Sequence, residues 1–187
     1  MKVLGIMGSP RMQGNTDLLL DEALRGAEEG GAVTEKLLVD RLNITPCKEI
    51  YQCSRDGTCP LQDDMQGVYE KILAADGIIV ASPIFFYTVS PQLLQLVSRC
   101  QALWARRHIL KNLDIPIKKG VFIGVGATKG ARLFDGPKLT IKYFFDAIST
   151  EYTADLLIRG VDRKAEIKDH PELLEQARAA GRSIVSG

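Results

Sequence analysis

The sequence predicts a doubly wound α/β fold, in which helices cover both faces of a five-stranded parallel sheet. Short apolar runs alternate with segments of helical periodicity along the whole chain. The run 77–81 (GIIVA) has no polar alternation, which is typical of a strand buried on both faces. No internal repeat or linker interrupts the 187 residues. We therefore expect residues 1–187 to form a single domain.

Periodicity and helix-breaking residues place the individual elements. Apolar residues three and four apart predict the first helix, and Gly30-Gly31 leads into the second strand. Pro91 suits the first turn of a helix. Residues 41–64 are a polar, cysteine-bearing excursion. The predicted strands are 3–7, 36–39, 77–81, 121–125 and 155–160, and the predicted helices are 16–30, 65–75, 91–104, 137–149 and 171–184.

This number of elements fits the flavodoxin-like strand order 2-1-3-4-5. In that order the topological switch point of the parallel sheet lies between strands 1 and 3, and ligands bind beyond the carboxyl ends of the strands there. The loops at those ends are 8–15 and 82–90, with 126–130 close by. All three have unusual compositions.

The first loop suits a terminal monophosphate. Gly and Ser residues before a helix offer backbone N–H groups and the positive end of a helix dipole. Asn15 stands where an ATPase phosphate loop has lysine, and the dinucleotide fingerprint is missing. A loop with an ordinary helix cap and no ligand is the alternative. The predicted phosphate contacts are Ser9, Arg11, Gly14, Asn15 and Thr16.

The second loop carries the apolar run Ile84-Phe85-Phe86-Tyr87, which a loop exposes only against a partner. A flat aromatic ligand or a second subunit would cover it; alternatively, the side chains fold back into the core. The third loop, 126–130, adds further backbone N–H groups and small side chains. A phosphate loop, an aromatic wall and an N–H-rich loop at one sheet edge together indicate flavin mononucleotide (FMN).

Several motifs together resemble those of the NADPH-dependent FMN reductases, and most of all the iron–sulfur flavoprotein branch. They are the loop 8–16, the cysteines of 47–59 leading to 63–65, the segment 75–83 and the loop 126–130. The resemblance covers nearly the whole chain in the right order. It implies a flavodoxin-like fold, bound FMN, reduction by NAD(P)H or another electron donor, and dimers or higher oligomers.

The resemblance also implies roles for individual residues. Ser9, Arg11, Asn15 and Thr16 would hold the phosphate, Pro83, Ile84, Phe85 and Phe86 would line the isoalloxazine ring, and Thr128 and Gly130 would lie near its polar edge. Because the cofactor carries the chemistry, no catalytic side chain is predicted.

The cysteines depart from the iron–sulfur pattern. That branch resembles C-x2-C-x2-C followed by a fourth cysteine, whereas here Ile50 occupies the second ligand position among Cys47, Cys53 and Cys59. Three thiolates leave open a cluster with an outside ligand, a zinc ion with a water, or plain reduced thiols. Because isoleucine cannot ligate iron, we expect no intact cluster and assign no metal ligand. Cys100 falls in an apolar helix stripe, so burial explains it.

Composition narrows the function classes. A net charge of +1 gives no basic surface for nucleic acid, and no apolar run is long enough for a membrane span. Without a signal-peptide pattern, a cytoplasmic location is expected, where cysteines stay reduced. The same charge argues against an acidic flavodoxin-type electron carrier.

The sequence thus predicts an FMN-dependent oxidoreductase that passes electrons from NAD(P)H, or from a reduced carrier, to a small acceptor such as a quinone. An iron–sulfur flavoprotein or a flavodoxin-like carrier without its own substrate is the alternative. The aromatic run and the apolar helix 91–104 after it predict a homo-oligomer, a dimer or tetramer, with the flavin near the subunit boundary.

Overall fold

A computed structural model describes residues 1–112 and 115–186. Its sheet has five parallel strands in the order β2-β1-β3-β4-β5, which confirms the predicted flavodoxin-like order. The switch point between β1 and β3 therefore lies where the sequence placed it. The strands are β1 (Lys2–Met7), β2 (Val33–Leu38), β3 (Gly77–Pro83), β4 (Lys118–Gly126) and β5 (Thr150–Arg159).

Helices cover both faces of the sheet, and each face has its own apolar core. The buried side chains of α1 and α7 form one core with Val3, Ile79 and Val121. Those of α3, α4 and α6 form the other with Ile6, Ile78 and other strand residues. The helices are α1 (Asn15–Glu29), α2 (Cys53–Asp56), α3 (Met65–Ala74), α4 (Pro91–Arg99), α5 (Gln101–Trp104), α6 (Asp135–Ala147) and α7 (Pro171–Val185).

The two edge strands are longer at their amino ends than the sequence predicted. β2 begins at Val33 and β5 at Thr150, three and five residues before the predicted starts at 36 and 155. Both strands alternate exposed and covered residues, because each edge strand has one neighbour and is partly solvated. Polar residues at their amino ends concealed these starts, and Lys118-Lys119 at the start of the interior strand β4 concealed three residues in the same way. The starts of β1 and β3 agree with the prediction to within one residue.

The predicted helix 91–104 is divided at Cys100, whose N–H bonds to both Leu96 O and Val97 O. A π-helical turn, Ala105–Ile109, follows α5. The sequence reasoning also missed α2 and two single-turn 3-10 helices, Val39–Arg41 and Glu166–Asp169. Over the described ranges, no helix combines the length and apolar character needed to cross a bilayer.

Candidate functional site

The loops after β1, β3, β4 and β5 surround a cavity of about 210 Å³ at the carboxyl edge of the sheet. Parallel strands end together, so residues far apart in sequence meet there. The loop after β5 contributes Val161 and Asp162, which the sequence reasoning did not include. The predicted site residues that line the cavity are Ser9, Arg11, Gly14, Asn15, Thr16, Pro83, Ile84 and Phe85.

The N-terminus of α1 opens into this cavity without a capping side chain. Its N-cap is Gly14, which has none to offer, and the first-turn residues Asn15, Thr16 and Asp17 are buried. Within the described part of the chain, the N–H groups of these three residues have no acceptor. A buried helix end normally finds acceptors for its first N–H groups, so this one fits an anion.

The loop before α1 is held in shape by its own hydrogen bonds. Gly14 N donates to Arg11 O at 3.1 Å, and Arg11 N donates to Ser9 Oγ at 3.1 Å. Gln13, at φ +54°, donates its N–H to Asp17 Oδ2 at 2.6 Å. The left-handed conformation of a non-glycine residue is thereby fixed by a buried carboxylate. The loop is preorganised before any ligand arrives.

Lys36 neutralises the carboxylate of Asp17, which lies in the first turn of α1. Its ammonium pairs with Asp17 and lies 2.5 Å from Asp21 Oδ1. Burial alone would lower the pKa of Lys36, but the hydrogen bonds that its ammonium donates to Asp17 and Asp21 raise it overall. The paired ammonium keeps the negative charge of Asp17 from opposing an anion at the helix end.

The loop after β5 is fastened to Asn15. The Asn15 amide donates to Arg163 O at 2.9 Å, and its Oδ1 accepts from Ile167 N at 3.0 Å. Glu166 accepts the N–H groups of Asp162 and Arg163, at 3.0 and 2.8 Å, and these bonds lower its pKa. The Asn15 side chain is thus committed to this loop, so its backbone N–H, rather than its amide, faces the anion site.

Arg11 supplies the positive charge at the mouth of the cavity. Its guanidinium is exposed and donates from Nη1 to Asp162 O at 3.2 Å. This bond reaches across the cavity from the loop after β1 to the loop after β5. A guanidinium in this position can approach a phosphate without displacing a buried partner.

The aromatic run forms a tight turn that projects into solvent. Phe85 and Thr88 exchange two backbone hydrogen bonds of 2.9 Å. The residues between them, Phe86 and Tyr87, have left-handed φ values of +48° and +61°. Phe86 is 100% exposed, and Phe85 and Tyr87 are 42% and 50% exposed. The three aromatic side chains do not fold back into the core, whereas Ile84 packs against it. Left-handed aromatic residues are strained.

Three of the predicted flavin-binding residues lie outside the small cavity. Phe86 points into solvent, and Thr128 is exposed on the loop after β4. Gly130 lies against Tyr87, since a Cβ there would sit 2.5 Å from the tyrosine oxygen. The loop after β4 therefore borders the aromatic turn and contacts it at Tyr87.

The three cysteines of the excursion line a second cavity of about 450 Å³ together with Ile50. All three are half-buried free thiols. Burial, followed by the neighbouring Cys47 and Cys59, raises the pKa of Cys53. Among residues 1–112 and 115–186, no group of three or more His, Cys, Asp and Glu side chains is arranged to hold a metal ion. Cys100 lies elsewhere, 1% exposed in the core, as predicted.

Comparison with known proteins gives one family and several relatives. The sequence model of the family described as NADPH-dependent FMN reductase matches residues 1–133. An iron–sulfur flavoprotein of Methanocaldococcus jannaschii is 44% identical over 129 residues, 69% of this chain and 64% of that protein. An iron–sulfur flavoprotein of Methanosarcina thermophila is 35% identical over 146 residues, 78% of this chain and 72% of that protein.

Among solved structures, the NAD(P)H:quinone oxidoreductase from Methanothermobacter marburgensis superposes with a TM-score of 0.75 at 18% identity. The match covers 98% of this chain and 95% of that one. At this identity the likeness concerns the fold. The alignment with the first relative spans less than two thirds of that protein's length, 64%.

Proposed function

This chain belongs to the NADPH-dependent FMN reductase family, and we propose that it binds FMN and acts as an FMN-dependent oxidoreductase. Electrons would pass from NAD(P)H to a small acceptor such as a quinone. The observation that carries the proposal is the buried, uncapped N-terminus of α1 opening into a cavity at the switch point of the sheet. That position suits the phosphate of a mononucleotide.

The phosphate would bind at the N-terminus of α1. The N–H groups of Asn15 and Thr16, the Ser9 hydroxyl and the Arg11 guanidinium all border the same small volume. The loop carries no lysine, so it has no group to reach a second phosphate. Because Lys36 neutralises Asp17, the field at this helix end favours an anion.

The ring would lie beyond the phosphate, along Pro83, Ile84 and Phe85. The turn that carries Phe86 would form its outer edge. Thr128 and Gly130 belong to the loop that borders this turn, where backbone N–H groups can stabilise negative charge at the polar edge of a ring. When bound, FMN supplies the two-electron redox chemistry; the protein positions it and limits its contact with water.

The exposed aromatic turn supports assembly into a dimer or larger homo-oligomer. In a monomer, the fully exposed Phe86 and the two half-exposed aromatic side chains beside it would remain in contact with solvent. A two-fold neighbour would cover them near the flavin and still leave one face open to NAD(P)H and the acceptor. We also propose a cytoplasmic location, on the ground that all four cysteines are free thiols.

A substitution inside the phosphate cavity tests the site. Ser9→Asp places a carboxylate beside the uncapped helix end, where it would take the place of the phosphate and repel it. We expect FMN affinity to fall about 100-fold, which corresponds to roughly 2.7 kcal/mol, while riboflavin affinity changes little. Quenching of flavin fluorescence on titration measures both.

Ser98→Asp is the matched control, because Ser98 lines the cysteine cavity instead. It should leave FMN affinity unchanged. Undiminished FMN affinity in folded Ser9→Asp protein would refute the phosphate site. Stoichiometric FMN without NADH or NADPH oxidation in the presence of a quinone would refute the reductase activity and leave an electron carrier.

A further inference from the structure

The residues of the cysteine excursion do not fit the cluster that the names of the relatives imply. A cubic four-iron cluster takes four thiolates, and the excursion brings three to its cavity. Ile50, at the second ligand position of the pattern, lines the same cavity. Left-handed residues stand on either side of it, Glu49 at φ +51° and Tyr51 at φ +61°. An isoleucine side chain offers iron no donor atom.

A buried arginine joins the two ends of the excursion. The Arg99 side chain is 0% exposed. Its Nη1 donates to Thr45 O at 2.8 Å, and its Nη2 donates to Leu61 O at 3.3 Å. Thr45 lies two residues before Cys47, and Leu61 lies two residues after Cys59. One guanidinium on α4 therefore fixes the backbone on both sides of the thiols.

Asp63 completes this clamp. Its carboxylate lies 2.6 Å from Arg99 Nη1 and accepts N–H bonds from Thr45 at 2.9 Å and Met65 at 3.1 Å. Burial would raise the pKa of Asp63, but Arg99 and the two N–H groups lower it overall. The carboxylate and both Nη groups of the guanidinium thus have partners, as a buried pair requires, whereas the buried Arg99 Nε has none among the described residues.

Further protein contacts hold the middle of the excursion. Cys47 N donates to Ser98 Oγ at 3.2 Å. Arg106 Nε donates to Gly57 O at 2.6 Å, just before Cys59. Each end of the cysteine run is tied to the helices behind it by groups that do not include a sulfur atom.

We infer that residues 41–64 form a scaffold that needs no metal, clamped by Arg99 and Asp63, and that Ile50 is what separates it from a four-thiolate cluster site. In this view the three thiols and Ile50 line one preformed cavity, and the thiols are not arranged as metal ligands in it. The inference rests on family membership and on the contacts of Arg99, and it does not depend on FMN binding.

The test compares wild type, Ile50→Cys and Ile50→Ala under anaerobic reconstitution. Equal amounts of ferric and ferrous iron with sulfide supply a cluster of two ferric and two ferrous ions, and the thiols release their protons. We expect about four irons and four sulfides per chain, with broad visible absorbance, in Ile50→Cys. Wild type and Ile50→Ala should retain at least tenfold less iron.

Hydrogen exchange tests the clamp separately. Amide protection across residues 43–65 should be the same in wild type with and without a chelator, and it should fall at least tenfold in Asp63→Asn. Four irons in wild type, or loss of protection on chelation, would overturn the inference. So would folded Ile50→Cys with four titratable excursion thiols and no iron.

FMN content is measured on the same samples. If FMN is absent while these iron and exchange results hold, the proposed function fails and this inference stands.

Discussion

The anion cavity and the cysteine excursion treat their polar groups in opposite ways. At the N-terminus of α1, the described residues provide no acceptor for the N–H groups of residues 15–17. At the ends of the excursion, Arg99 and Asp63 satisfy the backbone groups from within the chain. The difference indicates how to recognise a ligand site: the first region leaves buried N–H groups for an outside anion, whereas in the second the chain itself supplies partners for the backbone groups at both ends of the excursion.

Removing the clamp should have the largest effect. Arg99→Met leaves the Asp63 carboxylate buried without its charge partner and frees two carbonyl groups. We expect a loss of about 3–5 kcal/mol in the free energy of unfolding, measured by urea denaturation. Arg182→Met is the control, because its ion pairs with Glu29 and Glu175 are partly exposed. An equal loss in both variants would show that the clamp does not stabilise the fold.

Removing Lys36 should act on the other region. Lys36→Met leaves Asp17 charged and buried in the first turn of α1. We expect a loss of about 2 kcal/mol in stability and weaker FMN binding, with riboflavin less affected. Lys71→Met, which breaks the exposed pair with Glu35, should cost less than about 0.5 kcal/mol. Unchanged FMN affinity in Lys36→Met would show that the charge of Asp17 does not affect anion binding at the N-terminus of α1.

Acid should loosen the excursion in a way that depends on Asp63. Its pKa is lower in the folded chain than in the unfolded one, so its contribution is present above the unfolded pKa and is lost as pH falls through the folded pKa. Urea denaturation of wild type and Asp63→Asn from neutral pH to acid measures this. Wild type should be the more stable at neutral pH, and the gap should close in acid. A constant gap would contradict this account of the ion pair.

The smallest expected effect is an increase in the stability of the subunit. Phe86→Gly replaces a left-handed aromatic residue with one that tolerates φ +48°, so we expect about 0.5–1 kcal/mol of added stability in the subunit. The same change removes the most exposed aromatic ring, so sedimentation at low micromolar concentration should detect weaker association. Phe85, which lies outside the left-handed pair, serves as the comparison: Phe85→Gly should bring no gain. A destabilised Phe86→Gly subunit would mean that the turn is not strained.

Sequence reasoning worked best for features that depend on local residue patterns. The interior strands β1, β3 and β4 are apolar runs, and their loops could be placed at one sheet edge from the strand order alone. The edge strands β2 and β5 were shortened, because partial exposure leaves polar residues in them. The glycine-bearing loop before α1 was visible in the sequence, but the absence of a capping side chain was not.

Long-range partnerships were not visible. The Asn15 side chain hydrogen-bonds to Arg163 and Ile167, which lie 148 and 152 positions away in the sequence. No local sequence pattern predicts such contacts. Gly160, left-handed at φ +74° directly after β5, is a local sign of a turn at the start of the loop that borders the cavity. Arg99 was passed over because a charged residue on a helix is usually solvated; its burial depends on where Asp63 and the carbonyl groups fall.

The packing of α1 on α7 has a consequence for how the protein is made. A Cβ at Gly26 would collide with the backbone oxygen of Arg178, and one at Gly181 would collide with that of Ala23. The two helix backbones therefore touch, and α7 covers the helix that carries the anion site. During synthesis on a ribosome, residues 15–29 emerge early and must wait for residues 171–185 before that face is covered. The helix that carries the candidate anion site therefore gains this packing support only after residues 171–185 have been translated.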